Sequence, residues 1–218
     1  QGKSNLKNRT MKYNLQIIPK TLHFKQPAGT SRGVYHTRQV WYLLLTDTDS
    51  GRYGVGECAP LPDLSCDALP DYEHILTRLC RTFEAEGRID YDALRPYPSV
   101  LFGLETALLH LQAGGVRFFP TPFAAGEEGI PINGLIWMGN FDEMARRLEE
   151  KMKLGFRCIK LKIGAIDFDR EVALLERVRQ RFSPREVELR VDANGAFSPA
   201  DARQKLETLS RFCLHSIE

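Results

Sequence analysis

The sequence predicts an α/β protein in two parts, and three observations carry that expectation. The first half opens on β-rich stretches followed by two helical ones, the order of a self-contained α+β unit. After PTPFAAGEEGIP at 120–131, a joint rich in proline and glycine, strands and helices alternate every roughly 25 to 30 residues, which predicts parallel strands with helical crossovers. In that second half the charged residues gather near the carboxyl ends of the strands. With 218 residues the chain buries a core without staples. The expected organisation is a tail at 1–10, an α+β domain at 11–125 and four strands of a βα series at 126–218.

The elements follow in order. QGKSNLKNRT at 1–10 is polar and precedes Met11, so it reads as a tail outside the fold. Residues 13–24 and 38–46 are rich in β-branched and aromatic types, and TDTDSGRYG at 46–54 turns the chain, an antiparallel beginning. DALPDYEHILTRLCRTFEAEG at 67–87 places Ile75, Leu76, Leu79 and Phe83 on one helical face, and SVLFGLETALLHLQAGG at 99–115 does likewise before its glycines stop it.

In the second half INGLIWM at 132–138 is a short apolar strand. Asn140, with Glu143 three residues on, opens a helix that runs to Leu154 and ends at Gly155. FRCIKLKIG at 156–164 is the next strand, and Asp167 caps a helix with Val172, Leu175, Val178 and Phe182 inward. VELRVDANG at 187–195 is a strand, Ser198 and Pro199 supply N-cap and first turn of a third helix, and FCLHSIE at 212–218 is a fourth strand. An open doubly wound sheet and a (β/α) barrel both satisfy the pattern. Four strands do not close a barrel and the last lacks a covering helix, so the sequence reads as part of a longer polypeptide.

Composition excludes several classes. Thirty lysines and arginines balance 28 aspartates and glutamates along the chain, so no basic stripe points to nucleic acid. No run approaches the roughly 20 apolar residues that span a bilayer, which argues against a membrane partner. Five cysteines without a C-x-x-C pair argue against a disulfide framework or zinc ribbon and suit a reducing, cytoplasmic compartment. GVGECA at 54–59 matches the dinucleotide fingerprint, but Pro60 and Pro62 forbid the helix that would hold a pyrophosphate. The sequence sets no oligomeric state.

The chemistry-bearing residues are Lys160 and Lys162, which alternate with Ile159, Leu161 and Ile163 and so share a strand face, together with Asp192, Asn194 and Glu218 at the ends of the next two strands. K-x-K alone is a solvated edge, and D-A-N-G alone is a turn. Together, at consecutive strand ends, they form a site. Hard oxygen ligands from neighbouring strands suit Mg²⁺, which leaves room for a small-molecule carboxylate substrate. Abstracting the proton beside that carboxylate builds negative charge that a metal and a fixed cation stabilise. With Lys160 about 6.6 Å away by strand repeat and a divalent ion nearby, repulsion is expected to depress the Lys162 amine toward the neutral form a base needs.

The motifs KLK (160–162), DANG (192–195) and IE (217–218), after an α+β unit of this size, resemble the muconate-lactonising-type branch of the enolase superfamily. NGLIWMG at 133–139 is most similar to the o-succinylbenzoate synthases. The resemblance covers the chain from about Met11 to Glu218 and implies an N-terminal capping domain followed by the first part of a modified (β/α)7β barrel. It implies a Mg²⁺-dependent dehydratase of menaquinone biosynthesis, with Mn²⁺ the alternative ion. Lys162 would be the acid/base, Lys160 would steady the enolate, Asp192 and Glu218 would be metal ligands, and Asn194 would support them. A third acidic ligand and an opposing lysine are expected on later strands. The segments at 24–38 and 57–62 would close over the substrate. Racemases and epimerases of the superfamily use the same lysine, and without a metal the same charges would form the rim of a binding module.

Overall fold

The computed structural model describes residues 12–30 and 33–218. The tail expected at 1–10 lies outside the described residues. These divide into two compact units, one built from the described residues up to Ala28 with Val34–Gly129, the other from Gly29, Thr30 and Gly33 with Ile130–Glu218.

β1 (Tyr13–Thr30), β2 (Gly33–Asp47) and β3 (Tyr53–Cys58) form a sheet in that order, all but the β1 end and β2 start in the first unit. The β2–β3 pair is antiparallel, running in register from Trp41 opposite Cys58 to Thr46 opposite Tyr53. Its turn is built as the sequence suggests, with Asp47 Oδ1 accepting from the amides of Asp49 and Ser50 and Gly51 left-handed at φ 70°. Both long strands reach further than composition suggests. Much of the expected closing segment at 24–38 is strand, because sheet pairing overrides the local turn preferences of its Pro and Gly residues.

Helix α1 (Tyr72–Glu86) is followed by the short α2 (Tyr91–Leu94), then α3 (Pro98–Ala113) and the short α4 (Pro122–Ala125). Ile75, Leu76, Leu79 and Phe83 are buried with Leu43, Leu45 and Leu104 in one core, as their helical spacing predicts. All of the GVGECA stretch but Ala59 lies in β3. A Cβ on Gly56 would lie 1.8 Å from the Gly103 carbonyl oxygen, and one on Gly54 would lie 2.0 Å from that of Ala107. These glycines let α3 lie directly on the sheet, which explains them without any phosphate.

In the second unit β4 (Gly134–Ile136), α5 (Phe141–Lys153), β5 (Cys158–Lys162), α6 (Phe168–Arg181), β6 (Glu188–Asp192), α7 (Ala202–Ser210) and β7 (Ser216–Ile217) alternate along the chain. The strands form a parallel sheet in the order β4-β5-β6-β7. Ile136, Ile159, Leu161, Leu189 and Val191 of the strands are buried against Leu148, Leu175 and Val178 of the helices. Asn140 and Glu143 close a capping box on α5, and Asp167 caps α6. The third helix departs from expectation. Its N-cap is Asp201, because the Ser198 carbonyl and hydroxyl are spent on a turn that accepts the Asp201 amide. Phe182 likewise falls just past α6 in extended backbone. No helix among the described residues is long and apolar enough to cross a membrane.

Candidate active site

Alternation in β5 buries Ile159 and Leu161 completely and leaves Lys160 and Lys162 half-buried on the opposite face. Parallel pairing then sets the neighbours, with Lys160 beside Arg190 and Lys162 beside Asp192. Past the strand ends the ladder continues, since the Ile163 amide donates to the Asp192 carbonyl at 2.9 Å and the Ala193 amide to that of Glu218 at 2.9 Å. Asn194 takes a left-handed conformation at φ 48°, which its short polar side chain tolerates, and Gly195 follows at φ 75°. The chain therefore turns sharply after Asp192, and its own Asn194 folds back over the strand end.

The structure brings all five candidate residues together. Lys162 Nζ donates to Asp192 Oδ2 at 2.6 Å and to Asn194 Oδ1 at 3.1 Å. Lys160 Nζ meets the same Asp192 oxygen at 3.0 Å and donates to Glu218 Oε1 at 2.6 Å. The Asn194 amide donates to Asp192 Oδ1 at 3.0 Å. Asp192 is the centre of this network and is only 2% exposed, whereas the Glu218 side chain is 58% exposed at the rim.

Electrostatics follow from that arrangement. Burial alone would push the Asp192 carboxyl up, but the hydrogen bonds from Lys162, Lys160 and the Asn194 amide outweigh it and hold the group down at about 2. The hydrogen bond to Glu218 is the main influence raising Lys160, with burial opposing it and Asp192 reinforcing it. The sequence suggests two mutually repelling ammonium groups; the structure seats both on one carboxylate oxygen, a placement that depends on strand register.

One neighbour has no counterpart in the sequence argument. Trp137, just past β4, lies with its ring centroid 5.6 Å from Lys162 Nζ, a cation–π distance. Spacing gives no signal for it; only its place at the end of the adjacent strand does.

The donor set suits part of a magnesium site. Asp192 and Glu218 offer hard anionic oxygens, and one small cation, the Lys160 ammonium, already lies within 3.0 Å of both. Two carboxylates reaching one point fit two ligands of Mg²⁺. Among the described residues no group of three or more His, Cys, Asp and Glu side chains has metal-holding geometry.

Residues 143–218 match the family model described as enolase C-terminal domain-like, and residues 30–111 match the MenC N-terminal domain. The o-succinylbenzoate synthase of Desulfotalea psychrophila is 44% identical over 229 residues, covering 90% of this chain and 62% of that protein. The L-Ala-D/L-Glu epimerase of Bacillus subtilis is 25% identical, covering 85% of this chain and 52% of the other. The crystal structure of MenC from Desulfotalea psychrophila LSv54 aligns at a TM-score of 0.72 and 35% identity, covering 94% of this chain and 64% of that one. The o-succinylbenzoate synthase of Thermosynechococcus elongatus, complexed with Mg in its active site, aligns at 0.65 and 25% identity, covering 95% of this chain and 59% of that one. The chain thus spans somewhat under two thirds of the length of these relatives. With an α+β capping domain followed by the first part of a (β/α)7β barrel, the chain belongs to the enolase superfamily.

Proposed function

We propose that this chain carries the first part of the catalytic site of a Mg²⁺-dependent lyase. In this reading it dehydrates 2-succinyl-6-hydroxy-2,4-cyclohexadiene-1-carboxylate to o-succinylbenzoate, a step of menaquinone biosynthesis. The observation that carries the reading is the convergence of Lys162 and Lys160 on one Asp192 oxygen, with Lys160 also reaching Glu218, from three adjacent strands. The 44% identity to an o-succinylbenzoate synthase supports the choice of substrate.

The chemistry runs through the chain's own groups. Lys162 takes the proton from the carbon bearing the substrate carboxylate, and the electron pair of that bond moves into the carboxylate as an enolate. Lys160 places a fixed positive charge beside this developing anion. The enolate then re-forms a carbon–carbon double bond and expels hydroxide, which takes the proton from the Lys162 ammonium and leaves as water. Asp192 and Glu218 would hold the metal, and Mg²⁺ when bound would supply positive charge beside the substrate carboxylate. Asn194 keeps Asp192 in place through its amide.

A superfamily epimerase is the second reading, favoured by the similarity to the L-Ala-D/L-Glu epimerase. Turnover of the cyclohexadiene carboxylate and of L-Ala-L-Glu, measured with Mg²⁺ on the polypeptide as encoded in full, separates the two. Dehydration of the former is expected; epimerisation alone would select the second reading. Calorimetric titration of Mg²⁺ into wild type and Asp192→Ala tests for catalysis against a metal-free binding module, where the two curves would coincide.

A further inference from the structure

Glu171 lies in the first turn of α6 and is 1% exposed, and among the described residues no salt bridge reaches it, Lys205 acting on it only at longer range. Its Oε1 instead accepts hydrogen bonds from three consecutive backbone amides, those of Gly164 at 2.7 Å, Ala165 at 3.2 Å and Ile166 at 3.3 Å. Those residues form the loop that leaves β5 directly after Lys162 and Ile163. Its Oε2 is buried without a partner. A carboxylate in that setting is costly unless its hydrogen bonds compensate, so what the side chain accomplishes is the gathering of the three amides.

The loop held this way is packed against the next one. Gly164 is left-handed at φ 88°, and a Cβ there would lie 2.3 Å from the Ala196 methyl and 3.1 Å from the Ala193 carbonyl oxygen. Ala193 to Ala196 is the turn that carries Asn194, and the Ile163 amide binds the Asp192 carbonyl at 2.9 Å. Anchoring Gly164 therefore anchors the backbone on both sides of the contact between Lys162 and its partners. Backbone approach this close leaves little room for one loop to shift without the other.

We propose that Glu171 is a positioning residue of the site, clamping the β5–α6 loop so that Lys162 meets Asp192 and Asn194 in a fixed geometry. Its catalytic meaning rests on the function proposed above, while the clamp itself rests on geometry. Residue-resolved amide hydrogen exchange on this chain, without metal or substrate, tests the clamp independently of the reaction. Glu171→Gln keeps a carbonyl oxygen that accepts the three amides, and Glu171→Leu removes the acceptor.

In Glu171→Leu, exchange at Gly164, Ala165 and Ile166 is expected to rise by at least about tenfold, the effect of losing roughly one hydrogen bond's net stabilisation. Exchange at Ile163 and Asn194 rises with it, while Leu161 and Val191 within the strands stay within about twofold, because their ladder bonds do not depend on the loop. Glu171→Gln retains wild-type exchange throughout. If Glu171→Leu does not fold, Glu171→Asp, one methylene shorter, carries the same expectation at the same amides. Unchanged exchange in the loop, a uniform rise across α6 and the sheet, or failure of Gln to restore protection would overturn the proposal.

Discussion

Replacing Asp192 by asparagine removes the charge that two lysines share while keeping the shape of the side chain. The Asp192 side chain is 3% exposed, against 18% for Lys160 and 15% for Lys162, so solvent compensates the loss poorly. Its carboxyl is held at about 2 rather than the usual 3.8, which corresponds to about 2 kcal/mol of stability at neutral pH. Stranding the ammonium groups adds to this, but Lys160 keeps Glu218 and Lys162 keeps Asn194, so the total stays below the roughly 3–5 kcal/mol of a fully buried broken pair.

The pH dependence has a definite sign. A carboxyl whose folded value lies below its unfolded value contributes fully above about pH 4 and loses that contribution as pH falls toward about 2. Urea denaturation of wild type and Asp192→Asn across a pH series should therefore show a gap of about 2 kcal/mol near neutrality that closes over that acid window. Equal stabilities near neutrality, or a gap that persists unchanged through the acid window, would refute the account of Asp192 as the shared counter-charge.

Three other perturbations read different levels of the structure. Lys162→Ala is expected to cut proton exchange at the substrate α-carbon by at least about a hundredfold in the full-length polypeptide while circular dichroism stays unchanged; retained exchange would move the base elsewhere. Gly56→Ala forces a methyl to within 1.8 Å of the Gly103 carbonyl oxygen, so α3 must move off the sheet; thermal melting should show a loss of at least about 1–3 kcal/mol. Asn140→Ala opens the capping box of α5 and should cost about 1 kcal/mol by denaturant titration, with Asn140→Asp restoring most of it.

What the sequence made legible was local or periodic. Period-two alternation placed Lys160 and Lys162 on one face, and capping chemistry located the starts of α5 and α6 at Asn140 and Asp167. Gly114 and Gly155, where stops were expected, are both left-handed. What stayed hidden depended on partners far along the chain. Ser198 and Pro199 satisfy the local rules for a helix start, but the turn hydrogen bonds to Asp201 and Ala202 delay α7 by a few residues. Gly54 and Gly56 look like a nucleotide fingerprint until Gly103 and Ala107 of α3 are seen lying against them. Glu171 reads as an ordinary acidic residue in a first helical turn, since the amides it gathers are not arranged by any sequence spacing rule.

The parallel sheet also explains why the candidate site sits where it does. One face of the sheet is buried against the helices, so the ionised groups lie on the other, where each is paired: Arg190 with Glu188 along β6, and Lys160 and Lys162 with Asp192 and Glu218 toward the carboxyl ends. There, register turns a cost into a constraint: Asp192 is acceptable at 2% exposure because Lys162 and Lys160 converge on one of its oxygens and the Asn194 amide takes the other. Two ammonium groups against two carboxylates leave the cluster close to neutral. A divalent cation held by Asp192 and Glu218, as the proposed function requires, would therefore take over oxygens that Lys160 now holds. Under the proposed function, metal affinity and ion-pair strength would oppose each other, both acting through the same two carboxylates.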